Sequence, residues 1–291
     1  MTKITSGAKN VKKLEQAMGG TPPASALQAS RAALQRITAE RLRSYGKARD
    51  EAAKLAEPMR KAIFSHLDKD DPTIARNRAA TKALFERRSK RTIQSPKLEK
   101  FEPHFSVGSN LWLKVPPYDD AWTFGAASNT VATADKASGQ CSLAAQSFGD
   151  GTLEVAAGVM VWFLAPADDP QQRFAALMDY SYDWWDSAAG YVAHNNFTTR
   201  LWVWGATEQR WVGQADVSPS WSDGVGWWED HSGEDGGRIA VQTYLPVRAN
   251  QWYAGWVWFD AIPYADSGFF GSAFSSIHFN ATVPFVIFGS L

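Results

Sequence analysis

Ser276-Ile277-His278-Phe279-Asn280-Ala281-Thr282-Val283-Pro284-Phe285-Val286-Ile287 is the stretch from which the fold is read. Ile277, Phe279, Ala281, Val283, Phe285 and Ile287 fall on one side. Ser276, His278, Asn280, Thr282 and Pro284 fall on the other. A period of two is that of a β-strand with one buried face.

The same period recurs upstream. Leu153, Val155, Ala157, Val159, Val161 and Phe163 alternate; Tyr180, Tyr182 and Trp184 alternate against Asp179, Ser181 and Asp183; Leu201 and Val203 alternate against Trp202 and Trp204. Trp252 to Phe259 is apolar on both sides, as a central strand covered twice would be. Turn signals separate the runs at Ser138-Gly139, Gly149 to Gly151, Asp168 to Pro170, Gly233 to Gly237 and Asp266 to Gly268. Eight or more strands spaced in this way predict an antiparallel all-β sandwich, jelly-roll-like, over residues 104–291.

Before residue 104 the period changes. Leu27, Leu34, Ile37, Leu42, Tyr45, Ala48, Ala52, Leu55, Met59 and Ile63 recur at three- and four-residue steps, the stripe of an amphipathic helix capped by Ser25. Pro58 is expected to kink or divide it. Asp71-Pro72 opens a second helix that runs to about Arg91. The fold class is therefore α+β by segregation, an N-terminal helical hairpin or stalk followed by the sandwich. The divisions are a flexible segment at 1–24, a basic helical region at 25–92, a linker at 93–103 and an acidic, Trp-rich domain at 104–291.

Charge divides at the same place. Residues 1–100 hold 23 Lys and Arg against 10 Asp and Glu; residues 101–291 hold 7 against 20. The neutral total is a sum of opposite halves, so the basic helices are expected to dock on the acidic half of this chain or a neighbour. The thin, alanine-rich helical stripe points to packing on the second half or to self-association. Arg87, Arg88, Lys90 and Arg91 form a candidate anionic-surface contact. The dipole of the helix they end is the favoured explanation of the run, and nucleic acid is not expected as a partner.

All fourteen Trp lie between Trp112 and Trp258. Trp162, Trp202, Trp204, Trp252, Trp256 and Trp258 sit in strand patterns. Trp184, Trp185, Trp211, Trp221, Trp227 and Trp228 are read as lying in loops, where packing explains them less well. Trp221, Asp223, Trp227, Trp228 and Asp230, with Trp184 and Trp185, combine flat aromatics and carboxylates, and are the candidate site for a glycan or protein ligand.

Other chemistry is sparse. Cys141 is the single cysteine, which excludes an intrachain disulfide and a thiolate zinc site. No phosphate-binding loop, serine elbow or zinc-protease helix motif is present. Asp230, Ser232, Glu234, Asp235 and Gly236 have the composition of a calcium loop but not its spacing, and read as a solvated turn. No metal and no cofactor is expected. His278 reads as exposed. Asp179, Asp183 and Asp186 offer carboxylates for glycoside chemistry, yet Asp179 and Asp183 lie about 13 Å apart along a strand, so each needs another partner.

Met1 to Lys13 is polar and basic, without the apolar core of a secretory signal. The longest apolar run, Val155 to Pro166, is about 12 residues where a spanning helix needs about 20, so no transmembrane segment is expected. The protein is expected to be cytoplasmic as synthesised, with non-classical export open to it. In layout it is similar to anchor-plus-head designs among bacterial or phage surface and toxin proteins. The functional expectation is a non-enzymatic binding or assembly protein, its head recognising a glycan or partner surface through exposed Trp and its helical stem anchoring or oligomerising it. The alternatives are a membrane-active, toxin-like protein and a carboxylate-based hydrolase.

Overall fold

A computed structural model describes residues 22–65, 72–88, 111–125, 129–149, 151–188, 192–226, 229–267 and 273–289. Among the described residues two helices, α1 (Ala24–Phe64) and α2 (Pro72–Arg88), precede twelve strands. These are β1 (Leu111–Lys114), β2 (Asp120–Gly125), β3 (Thr130–Asp135), β4 (Gln140–Phe148), β5 (Gly151–Thr152), β6 (Val155–Leu164), β7 (Asp169–Ala188), β8 (Val192–Gly205), β9 (Arg210–Val225), β10 (Glu229–Val247), β11 (Trp252–Asp266) and β12 (Ala273–Gly289).

The strands form two antiparallel sheets. Sheet 1 has the order β10-β7-β12-β4-β3, with β1 continuing along β12 where β4 stops; sheet 2 has the order β2-β6-β11-β8-β9, with β5 continuing along β11. The sheets face each other across a core that includes Val159, Val161, Phe174, Met178, Phe197, Val257, Phe259, Ile277, Phe279 and Phe288. This is the β-sandwich expected from the period of two.

The defining stretch departs from strict alternation at one place. Thr282 pairs with Asp179 but Phe285 pairs with Leu177, so β12 carries one extra residue against β7. That bulge exchanges the two faces. Ile277, Phe279, Ala281 and Val283 point inward, whereas Phe285 and Ile287 join Ala175, Leu177 and Leu113 on the outer face, and Val286 and Phe288 turn in. Pro284, which has no N–H to give to a ladder, occupies the bulge. Beside it the Val283 N–H donates to the Gly139 carbonyl at 2.9 Å, and the Tyr118 hydroxyl donates to the Val283 carbonyl at 2.7 Å. Gly139 has φ +76°, and a Cβ there would stand 2.4 Å from that same carbonyl oxygen, so the turn requires glycine.

α1 forms a third layer on the outer face of sheet 2. Ala26, Ala33 and Leu34 share one buried cluster with Trp122, Trp162, Trp202, Trp204, Trp256 and Trp258, and Trp211 and Trp252 pack at its margin. The rings meet edge to face: Trp122–Trp258 at 5.8 Å, Trp202–Trp258 at 5.3 Å, Trp202–Trp211 at 5.3 Å and Trp204–Trp211 at 5.2 Å. β6 and β11 are therefore apolar on both faces, because one faces sheet 1 and the other faces the helix. Gly158 of β6 makes room for this layer, since a Cβ there would lie 2.4 Å from the Trp258 Cβ and 2.7 Å from the Val257 carbonyl oxygen.

Opposite charges line the same interface. Arg31 pairs with Asp120; Arg41 Nη2 lies 2.8 Å from Asp260 Oδ2 and its Nη1 lies 3.7 Å from Glu154 Oε1. Arg200 Nε donates to Asp260 at 2.6 Å, and its guanidinium lies 5.4 Å and 5.2 Å from the ring centroids of Trp202 and Trp258. The basic helix thus docks on the acidic half of its own chain.

Three local expectations are corrected. α1 begins at Ala24 after Pro23 with no side-chain cap, so Ser25 lies inside the helix rather than capping it. Pro58 does not divide α1, which runs as one helix past it. The Gly233 to Gly237 segment is not a turn; it lies within β10, held to β7 over its whole length.

Candidate functional site

The outer face of sheet 1 is polar where β10, β7 and β12 run side by side. Their register sets side chains in cross-strand rows. Glu234, Asp183 and His278 form one row, and Ser232, Trp185 and Ser276 form the next. Gly236, Ser181 and Asn280 follow, and then Arg238, Asp179 and Thr282. Successive odd residues of β7 project to the same face, so all four rows share it.

The first two rows line a pocket of about 330 Å³ whose walls are Asp183, Trp184, Trp185, Ser232, Gly233, Glu234, Ser276 and His278. Its polar groups are fixed by their neighbours. His278 Nδ1 lies 2.9 Å from Asp183 Oδ1. The Trp185 indole N–H donates to the Asp230 carboxylate, and its ring stands edge-on to Phe274 at 4.2 Å. In the far rows, Arg238 donates to both oxygens of Asp179 at 2.5 and 2.8 Å, and the Ser142 hydroxyl donates to Asn280 Oδ1 at 2.7 Å.

A second polar group lies at the same end of the sandwich. Asp186 is fully buried, and burial pushes its carboxyl up to about 8; Asn195 Nδ2 donates to it at 2.8 Å and to the Ser276 carbonyl at 3.0 Å. Asp223 Oδ2 lies 3.5 Å from His231 Nδ1. Burial lowers the pKa of His194, and Asp223 opposes that shift.

The candidates named from sequence divide accordingly. Trp185 and Asp230 bond to each other at the pocket. Trp184 lines it as well, while its ring meets Trp221 at 5.6 Å, and Trp221 stacks on Tyr182 at 5.4 Å. Asp223 sits apart from the pocket, with His231. Trp184 and Trp185 are in β7 and Trp211 and Trp221 in β9, so these four are strand residues and not loop residues. Among the described residues no Trp is exposed; each is buried or half-buried. Trp227 and Trp228 lie outside the described residues, as do Lys90 and Arg91. Arg87 is exposed on α2, and Arg88 is the last residue of that helix.

Asp179, Asp183 and Asp186 do not meet. Each has a different partner, Arg238, His278 and Asn195 respectively. Among the described residues no group of three His, Cys, Asp or Glu is placed to hold a metal ion. Sequence reasoning did not place Ser232, Glu234, Ser276 or His278 in the ligand site. His278 is half-buried on Asp183 rather than exposed. Ser232 and Glu234 belong to an edge strand whose glycines imitate a turn.

No family model matches the chain. A search of curated proteins gives no match. Among solved structures the chain is similar to TmCBM61 in complex with beta-1,4-galactotriose, at 11% identity and TM-score 0.18, covering 60% of this chain and 90% of that one. It is similar to a glycoside hydrolase domain, Endo-D, from Streptococcus pneumoniae R6, at 8% identity and TM-score 0.24, covering 58% of this chain and 21% of that one. It is also similar to the carbohydrate-binding module CBM6cm-2 from Cellvibrio mixtus lichenase 5A, at 11% identity and TM-score 0.17, covering 58% and 94%. At these scores the site must be read from its own residues.

Proposed function

We propose that this protein is a non-enzymatic binding protein whose sandwich takes a glycan in the pocket on the outer face of sheet 1. The observation that carries the reading is the row Glu234, Asp183, His278 beside the row Ser232, Trp185, Ser276, all walls of one open pocket. A sugar presents hydroxyls that both donate and accept. Carboxylates that only accept, hydroxyls that do both and an imidazole match that pattern. The volume, about 330 Å³, is at the small end of ligand pockets and suits one ring rather than a buried chain. Trp185 is held by Asp230 and Phe274, so it acts as a rigid wall. Recognition through Trp is a further part of the reading, and among the described residues Trp184 and Trp185, which line the pocket, are the ones placed for it. The strand order supports naming the sandwich a jelly roll: β4, β6, β7, the β8–β9 pair, β10, β11 and β12 alternate between the sheets. A glycan array probed with the full chain tests the proposal. Binding that falls at least tenfold in Asp183→Asn supports it, and no binding above background to any glycan sinks it.

A carboxylate-based hydrolase is a second reading, favoured by one observation: Asp183 and Glu234 are cross-strand partners that both line the pocket. Release of reducing ends from an oligosaccharide bound on the array, abolished by Glu234→Gln, would favour it over binding alone.

A further inference from the structure

α1 is 41 residues long, and among the described residues its buried ones, Ala26, Ser30, Ala33, Leu34 and Thr38, all lie in its first half. The residues that seat it are spaced three and four apart. Leu27 and Leu34 pack on the Trp layer, Thr38 is fully buried, and Arg31 and Arg41 reach the carboxylates of sheet 2. The same stripe continues past Arg41 without a break in step, as Tyr45, Ala48, Ala52, Leu55, Met59 and Ala62. All six are exposed; Leu55 is 83% and Met59 56% exposed. Steps of three, four, three, four and three define the a and d positions of a heptad, the spacing of a two-helix seam. The seam spans about 26 Å of helix at 1.5 Å per residue. α2 leaves these side chains exposed.

Size decides what fits. Read forward, the seam is Tyr, Ala, Ala, Leu, Met, Ala. Read backward, it is Ala, Met, Leu, Ala, Ala, Tyr. Set antiparallel on a second copy of itself, every layer joins one large and one small side chain: Tyr45 with Ala62, Ala48 with Met59, Ala52 with Leu55, and the same three by symmetry. Set parallel, the seam would stack Tyr on Tyr, Leu on Leu and Met on Met, with three Ala–Ala layers left hollow. Close packing favours the first arrangement. The flanking positions agree, since Arg49 would lie across from Ala56 and Glu51 across from Pro58, with no like charges opposed.

We propose that residues 45–62 of α1 form the interface of a homodimer, pairing antiparallel with the same segment of a second copy about a two-fold axis near Ala53 and Lys54. A two-fold axis makes such a patch self-complementary, so it closes at two copies. The pairing is independent of the glycan reading.

Sedimentation equilibrium of the full chain is expected to give twice the chain mass, falling to the monomer mass in Leu55→Glu, an exposed position whose change leaves the sandwich intact. Oxidation of the double variant Tyr45→Cys with Ala62→Cys is expected to give a covalent dimer, and Tyr45→Cys alone is not. Monomer mass for the unaltered chain would overturn the proposal, including the case in which α2 folds over the seam. So would a dimer insensitive to Leu55→Glu, or cross-linking by Tyr45→Cys alone, which would make the pairing parallel.

Discussion

Leu34→Ala is the sharpest perturbation of the helix–sheet layer. Leu34 is fully buried among the Trp of sheet 2 and is far from the pocket face. The substitution removes three carbon atoms, worth ~2.4 kcal/mol of transfer at ~0.8 kcal/mol per carbon. A cavity term adds to this, and its size depends on how far the surroundings relax. Here the surroundings are large planar rings locked edge to face, Trp202 on Trp258 at 90° and Trp122 on Trp258 at 83°, so they collapse poorly. The expected cost is therefore in the upper half of the range for such changes, about 4 kcal/mol. Urea unfolding followed by Trp fluorescence measures it, and amide exchange across residues 24–42 reports whether the helix still docks. A loss under ~1 kcal/mol with unchanged protection would refute the three-layer reading, because it would mean that the helix contributes little to the Trp layer.

Gly158→Ala should cost roughly 1–3 kcal/mol by overpacking, with a blue or red displacement of Trp emission, since the new methyl meets the backbone of Val257 and the base of Trp258; a neutral result in thermal unfolding would contradict the close approach of β6 and β11. Glu154 gives a pH test. Burial raises its carboxyl to about 8, Arg41 opposes the shift and Asp260 adds to it. The folded state then holds a proton that the unfolded chain has released, so this contribution to stability is full below about 4.5 and is lost as pH rises to about 8, at up to ~1.4 kcal/mol per unit. Glu154→Gln should flatten that part of the stability–pH curve, and an unchanged slope in denaturant titrations at pH 5 to 8 would contradict the assignment. Arg238→Met should leave a buried Asp179 carboxylate without its bidentate partner and cost about 2–3 kcal/mol in urea unfolding, whereas a cost near zero would place the pair with ordinary surface ion pairs.

Much of the architecture was legible because burial follows period. Trp252 to Phe259, apolar on both sides, became β11 at the centre of sheet 2, and the stripe from Leu27 became the seat of α1. The charge partition was informative for the same reason, since Arg31 and Arg41 meet Asp120 and Asp260. The surplus of Trp misled because it was weighed against a single core. Eight of them fill a second interface, between the sheet and the helix, that exists only once the two halves are joined. The pocket was half visible. Trp184, Trp185 and Asp230 were in reach of sequence reasoning, but Glu234 and His278 become neighbours of Asp183 only through strand register, which no local pattern states. The β12 bulge hid for a related reason: one extra residue leaves the hydrophobic alternation intact in sequence while reversing it in space.

The central claim is that one face of the sandwich is committed to its own helix and the opposite face is free to recognise a ligand. Isothermal titration with the best glycan from the array, run on the full chain and on two variants, tests it most directly. Asp183→Asn on sheet 1 is expected to lose at least tenfold in affinity, while Trp204→Phe beneath α1 is expected to bind as the unaltered chain does. Loss of binding in Trp204→Phe with Asp183→Asn unaffected would contradict the account and move recognition to the face that the helix covers.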